Sequence, residues 1–169
     1  MIFLDSETNL ESQAQWLVRT LSAGEGRYDM ALLFFHRPPY SNSVDRGAHG
    51  DEDIQRLIVP VLEASAIPAV YLNGHVHGYE HLVRNGTHYY TTGGGGGPRG
   101  PLGAARADDV YAGTDCRDLG DGEVLRPFNY LLIRPGNTAL EIEVRGLCVA
   151  EEAVRTLERV RIPYAIQAP

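Results

Sequence analysis

Apolar positions along this chain follow two different patterns. In the first half, short continuous apolar runs alternate with stretches in which apolar residues recur every three or four positions. "MIFL" at residues 1–4, "MALLFF" at 30–35 and "IPAVYL" at 67–72 are of strand length, and the last two read as strands covered on both faces. Between them, "LESQAQWLVRTL" places Leu10, Ala14, Leu17, Val18 and Leu21 at helical spacing, with Asn9 as a candidate cap. "DEDIQRLIVPVLEA" does the same with Ile54, Leu57, Ile58, Val61 and Leu62, and its leading acids favour the start of a helix dipole. Pro60 should kink that helix, because proline removes a backbone donor. The first half therefore predicts strand, helix, strand, helix, strand, the order of a parallel α/β sheet.

After residue 80 the pattern changes to strand pairs. "HLVRNGTHYYTT" carries Asn85-Gly86 between two alternating runs and predicts a tight hairpin. "FNYLLI" and "ALEIEV" predict a second antiparallel pair across "RPGNT", and "AEEAVRTLERV" has the spacing of a terminal helix. "GGGGGPRGPLGAARADD" is loop by composition. We divide one single-domain chain, residues 1–169, into a core over 1–97, a loop-rich stretch over 98–127, and a β-hairpin with tail over 128–169.

Composition narrows the function classes. With 169 residues, 43% of them hydrophobic, the chain can bury one core. A net charge of −7 and a pI near 5.3 argue against nucleic acid as a partner. No run approaches the ~20 apolar residues of a membrane helix, so we expect no membrane contact. "MIFLDSETN" has neither a basic leader region nor a cleavage site, which gives a cytoplasmic expectation for the chain as it stands. Cys116 and Cys148 form no metal-type pair and read as a structural thiol or a single bridge.

The chemistry gathers at one place. "NGHVHGYEH", residues 73–81, follows "IPAVYL" directly, and His36 follows "MALLFF" directly. In a parallel sheet, ligands bind at the carboxyl ends of the strands, so His36, His75 and His77 share one sheet edge. In extended chain His75 and His77 point to the same side. A lone strand-end histidine ordinarily just hydrogen-bonds a loop. Three on one edge argue for a metal, with a fourth position left for water. Other features carry less. The glycine run lacks a following Lys-Ser/Thr and reads as a turn where side chains do not fit. Ser41 and Ser43 lack a nucleophile elbow. His81 and His88 flank the hairpin and read as a cross-strand stack.

In order and spacing, "HRPPYSNS", "YLNGHVHGYEHL" and "THYYTTGGGGGP" together resemble the C-terminal half of a calcineurin-like metallophosphoesterase, closest to the purple acid phosphatase branch. The resemblance covers about the first 97 residues, with a weaker echo in the later strand pair. It implies an α/β fold: half of a metallophosphoesterase β-sandwich, one mixed sheet flanked by helices, with a C-terminal antiparallel β portion. It implies a two-metal hydrolase in which His36 and His75 bind one ion and His77 the other. His49 would touch the substrate phosphate or assist the leaving group, Tyr79 and Glu80 would support the loop, and His81 stands where the family has arginine. The family's N-terminal half, with its Asp-x-His, bridging aspartate and Gly-Asn-His, has no counterpart here, so the chain reads as a fragment or as a half-length protein.

The resulting expectation is a metal-dependent hydrolase of small-molecule phosphate esters. Zinc is the first choice, iron or manganese the alternatives, with one or two ions. The ion would lower the pKa of bound water towards ~7. Asp5 and His49 are the candidate catalytic residues, and Arg37, Tyr40 and Asn73 the candidate substrate contacts. Without the missing half, and at a charge of −7, diesters or triesters suit the site better than dianionic monoesters. The alternative is a half-domain that binds metal or a partner and turns nothing over. Relatives of the family are often exported, which opposes the cytoplasmic reading. Because the hairpin and tail helix look too small to cover the second face of the sheet, we expect a homodimer.

Overall fold

A computed structural model describes residues 1–44, 50–98, 107–110, 118–120, 123–125 and 127–164. Its first sheet has five strands: β1 (Ile2–Phe3), β2 (Ala31–Phe35), β3 (Ala69–Asn73), β4 (Tyr79–Arg84) and β5 (Thr87–Thr92). Their order is β1-β2-β3-β5-β4, parallel except for β4, which returns antiparallel to β5. The turn at Asn85-Gly86 has φ of 47° and 78°, the double left-handed conformation that this pair tolerates.

Helix α1 (Leu10–Gly24) starts where Asn9 accepts from the Ser12 N–H. Leu17 and Leu21 of α1 pack with Leu33 and Tyr71 on one face of the sheet. Val18, expected in that apolar stripe, is exposed. The second helix is two short pieces, α2 (Glu52–Leu57) and α3 (Val59–Glu63). Pro60 falls in the first turn of α3, where its missing N–H costs nothing, so the expected kink is a full break at Ile58.

The other face is where the sequence expectation is corrected. "AEEAVRTLERV" is not a helix. It belongs to a short 3-10 turn (Val149–Glu151) and a long strand, β10 (Ala153–Pro163). With β8 (Phe128–Pro135) and β9 (Ala139–Cys148), β10 forms a separate antiparallel sheet of order β10-β9-β8. A bulge between Thr156 and Glu158 shifts the side-chain alternation, so Leu157 and Val160, three apart in sequence, both turn to the core and imitate a helical period. Leu140, Ile142 and Val144 of this sheet pack on Val70, Leu72 and Tyr90 of the first. The face we expected to be bare is therefore covered within the chain.

The result is a mixed sheet with helices on one side and an antiparallel sheet on the other, consistent with part of a metallophosphoesterase-like sandwich. The loop-rich stretch also contains a small two-stranded pair, β6 (Asp118–Gly120) with β7 (Glu123–Leu125). Cys148 is buried and disulfide-bonded; Cys116 lies outside the described residues. Among the described residues no helix is long and apolar enough to cross a membrane.

Candidate functional site

Because β2 and β3 are parallel and in register, Phe35 opposite Asn73, the loops after them leave the sheet side by side. The Gly74 N–H donates to the His36 carbonyl at 3.0 Å and locks the two exits together. His36 Nε2 and His75 Nδ1 then stand 3.3 Å apart, their rings edge to face. His75 holds this position with φ of 60°, a backbone conformation uncommon outside glycine and often kept at functional sites.

Two nitrogens on one tetrahedral zinc at ~2.0–2.1 Å are ~3.3–3.4 Å apart. The observed pair matches that edge. His77 lies in the same loop but is held differently. Its Nδ1 is 2.8 Å from the Pro98 carbonyl, which can only accept, so Nδ1 carries a proton and Nε2 is left without that partner. That second hydrogen bond is how proteins commonly orient a metal-binding imidazole. No group of three or more His, Cys, Asp or Glu side chains placed to share an ion occurs among the described residues. The three imidazoles therefore do not meet at one point: His36 and His75 stand within hydrogen-bond distance of each other, a separation that two nitrogens on one zinc would also have, and His77 is held by Pro98.

The glycine run explains itself by contact. A Cβ on Gly97 would lie 2.5 Å from the His77 ring, and one on Gly93 would lie 2.2 Å from the Val76 carbonyl oxygen. Gly93 and Gly97 thus lie directly against the histidine loop, and at these two positions the expectation that side chains do not fit holds.

The remaining candidates divide. Asn73 is 3% exposed, and neither its Nδ2 nor its Oδ1 has a partner among the described residues. Such a group is costly to bury unless something else meets it. Residue 73 borders a cleft of about 430 Å³ between the two sheets, whose lining includes Gly74, Thr92 and Asn129 on the polar side. Arg37 is already engaged. Its Nε and Nη2 reach both Glu7 carboxylate oxygens at 2.7 and 3.1 Å, and Asp51 lies 3.9 Å from Nη1. The hydrogen bond from Arg37 holds the Glu7 carboxyl below its usual range, with a smaller electrostatic contribution from His36. Tyr40 carries the Arg84 guanidinium over its ring at 3.9 Å and meets Tyr89 edge to face. Asp5 caps its own turn by accepting from the Glu7 N–H at 2.8 Å. His49 lies outside the described residues.

Two further carboxylates stand out, Glu7, which the sequence reading did not single out, and Glu80, which the family resemblance gave as a loop support. Glu7 is the carboxylate that faces the His36–Arg37 exit, and its place after β1 on the same sheet edge was a usable signal. Glu80 is buried, accepts from Ser41 Oγ at 2.8 Å and from the Asn42 N–H at 2.7 Å, and so ties the loop after β2 to β4. Tyr71 adds a third tie, donating to the Arg37 carbonyl at 3.0 Å.

No known family's sequence profile matches the chain, and no curated protein matches it in sequence. Among solved structures it is similar to the Plasmodium protein described as GAP50, the anchor in the inner membrane complex, with a TM-score of 0.74 at 13% identity. That superposition covers 96% of this chain and 48% of the other, so the chain spans about half the length of the structure it matches. Two structures of Vps29 from Entamoeba histolytica superpose with lower scores. The wild type complexed with zinc gives a TM-score of 0.38 at 16% identity over 70% of this chain and 49% of that one. A single mutant of the same protein gives 0.37 at 12% over 95% and 98%. At those scores the Vps29 superpositions carry no argument, and the likeness to GAP50 speaks for the fold alone.

Proposed function

We propose that this chain carries the histidine half of a metal-dependent phosphoester hydrolase site, in which His36 and His75 hold a zinc-like ion and His77 presents Nε2 beside it. The observation that supports this most is the 3.3 Å separation of His36 Nε2 and His75 Nδ1, the edge of a tetrahedral ligand set. Such an ion lowers the pKa of water towards ~7 and polarises a phosphoryl oxygen. The chain's own residues position rather than react. Asn73 offers beside the cleft an amide with no partner among the described residues, and Glu80 and Tyr71 fix the loop that carries His36. Since Arg37 is neutralised by Glu7, the site has little positive charge to spare for a dianion, and we favour diesters or triesters over monoesters.

A second reading has its own observation. Two converging nitrogens hold an ion weakly, and the described residues add no third ligand, which suits a half-domain that binds metal or a partner without turnover. One experiment separates the two. Zinc content is measured by mass spectrometry, then hydrolysis of aryl phosphate mono-, di- and triesters is followed with and without chelator. We expect bound zinc and chelator-sensitive cleavage of the di- or triester. Zinc without turnover would select the second reading, and a chain that takes up no zinc would end the first and leave only the partner-binding form of the second.

We also retain association of two copies, now placed at the open edge of the first sheet. Phe3 on edge strand β1 is 70% exposed and stacks on Phe34 at 4.7 Å. Sedimentation across a dilution series should show a dimer that Phe3→Asp converts to monomer. A wild-type chain that stays monomeric at high concentration would remove this proposal.

A further inference from the structure

His81 is 1% exposed and sits on β4 where the two sheets meet. Its two ring nitrogens are both engaged. Nδ1 is 2.8 Å from Glu158 Oε1 on β10, and Nε2 is 2.9 Å from His88 Nδ1 on β5. A carboxylate only accepts, so His81 Nδ1 carries a proton. Two imidazole nitrogens at 2.9 Å must share one proton between them, since two would clash and none would leave facing lone pairs. The line from Glu158 through His81 to His88 is therefore a chain of single protons running from the second sheet into the first.

Tyrosine and aliphatic side chains pack around it, with one acidic loop nearby. From β4 the Tyr79 hydroxyl donates to the other Glu158 oxygen. From β5 Tyr90 stacks on His81, with centroids 4.0 Å apart. From β3 Val70 lies opposite His88. The Val110 N–H donates to the His81 carbonyl, while neighbouring Asp108 and Asp109 engage Arg84 and Asn42. Glu158 is the β10 carboxylate that reaches His81 here.

We propose that Glu158, His81 and His88 form a proton-operated clamp that fastens strand β10, and with it the second sheet, to the first sheet at neutral pH and loosens in acid. Burial, and next the neighbouring His81, push the His88 pKa down from 6.5 to about 4. The folded chain thus binds fewer protons than the unfolded one across that interval. Stability is fully present above about 6.5 and is lost as the pH falls towards 4. Burial opposes ionisation of Glu158, yet the His81 and Tyr79 hydrogen bonds carry its pKa below 4.5, so its share is lost below that value.

The test is the pH dependence of urea unfolding in wild type and His88→Asn, whose amide can donate to or accept from His81 but cannot titrate. The wild-type folding constant should fall by about twentyfold more than the variant's between pH 7 and pH 5. Equal slopes would overturn the clamp. Nitrogen-15 spectra of the wild-type imidazoles give a check that needs no variant. We expect His88 neutral at pH 5.5 with a hydrogen-bonded Nδ1, and a His88 that charges near pH 6.5 would refute the proposal.

Discussion

Replacing His75 by asparagine should lower zinc affinity by about 100-fold, while leaving the fold intact. His75 supplies one of the two nitrogens that stand 3.3 Å apart, so its loss leaves His36 alone at that edge. Asparagine is chosen because residue 75 has φ of 60°, which asparagine tolerates and most residues do not. Calorimetric zinc titration reads the affinity, and urea unfolding checks that stability moves by no more than ~1 kcal/mol. Unchanged zinc binding in His75→Asn would place the ion elsewhere. The same substitution at His77 should cost less, because His77 stands outside the pair.

Glu80→Ala should destabilise the chain by about 3 kcal/mol, because it strands a buried hydroxyl and a backbone N–H together. Glu80 is 4% exposed and is the acceptor for both Ser41 Oγ and the Asn42 N–H. The loop it anchors begins at His36, so the loss should also show as faster hydrogen exchange of residues 40–43 and weaker zinc binding. Glu80→Gln, which keeps one acceptor, should recover part of both effects. An alanine variant as stable as wild type would mean that the loop is held by Tyr71 and the proline pair instead.

The first half of the fold was legible because its strands lie at the centre of a sheet. "MALLFF" and "IPAVYL" are apolar throughout since both faces are covered, and Asn85-Gly86 has few backbone conformations open to it. The tail was misread for a local reason. A bulge before Glu158 lets Leu157 and Val160, three apart in sequence, share the core face, and period alone could not separate that from a helix turn. The β-branched run of Val154, Thr156, Val160 and Ile162 was the better signal. That one error produced the expectation of a bare sheet face.

At the site, sheet-edge reasoning brought His36 and His75 together, because parallel register fixes where strand ends fall. It did not reveal that Pro98 would take His77, or that Glu7 would neutralise Arg37, since both partners come from loops whose path the sequence pattern does not set. His81 was read as part of a stack with His88, which it is at 5.1 Å. Its carboxylate partner lies 77 residues away on the misread strand.

X-ray absorption at the zinc edge of the metal-loaded chain tests the central claim most directly. The His36–His75 pair predicts at least two imidazole nitrogens at ~2.0–2.1 Å, falling by one in His75→Asn. A zinc shell made only of oxygen, or one unaltered by that substitution, would contradict it.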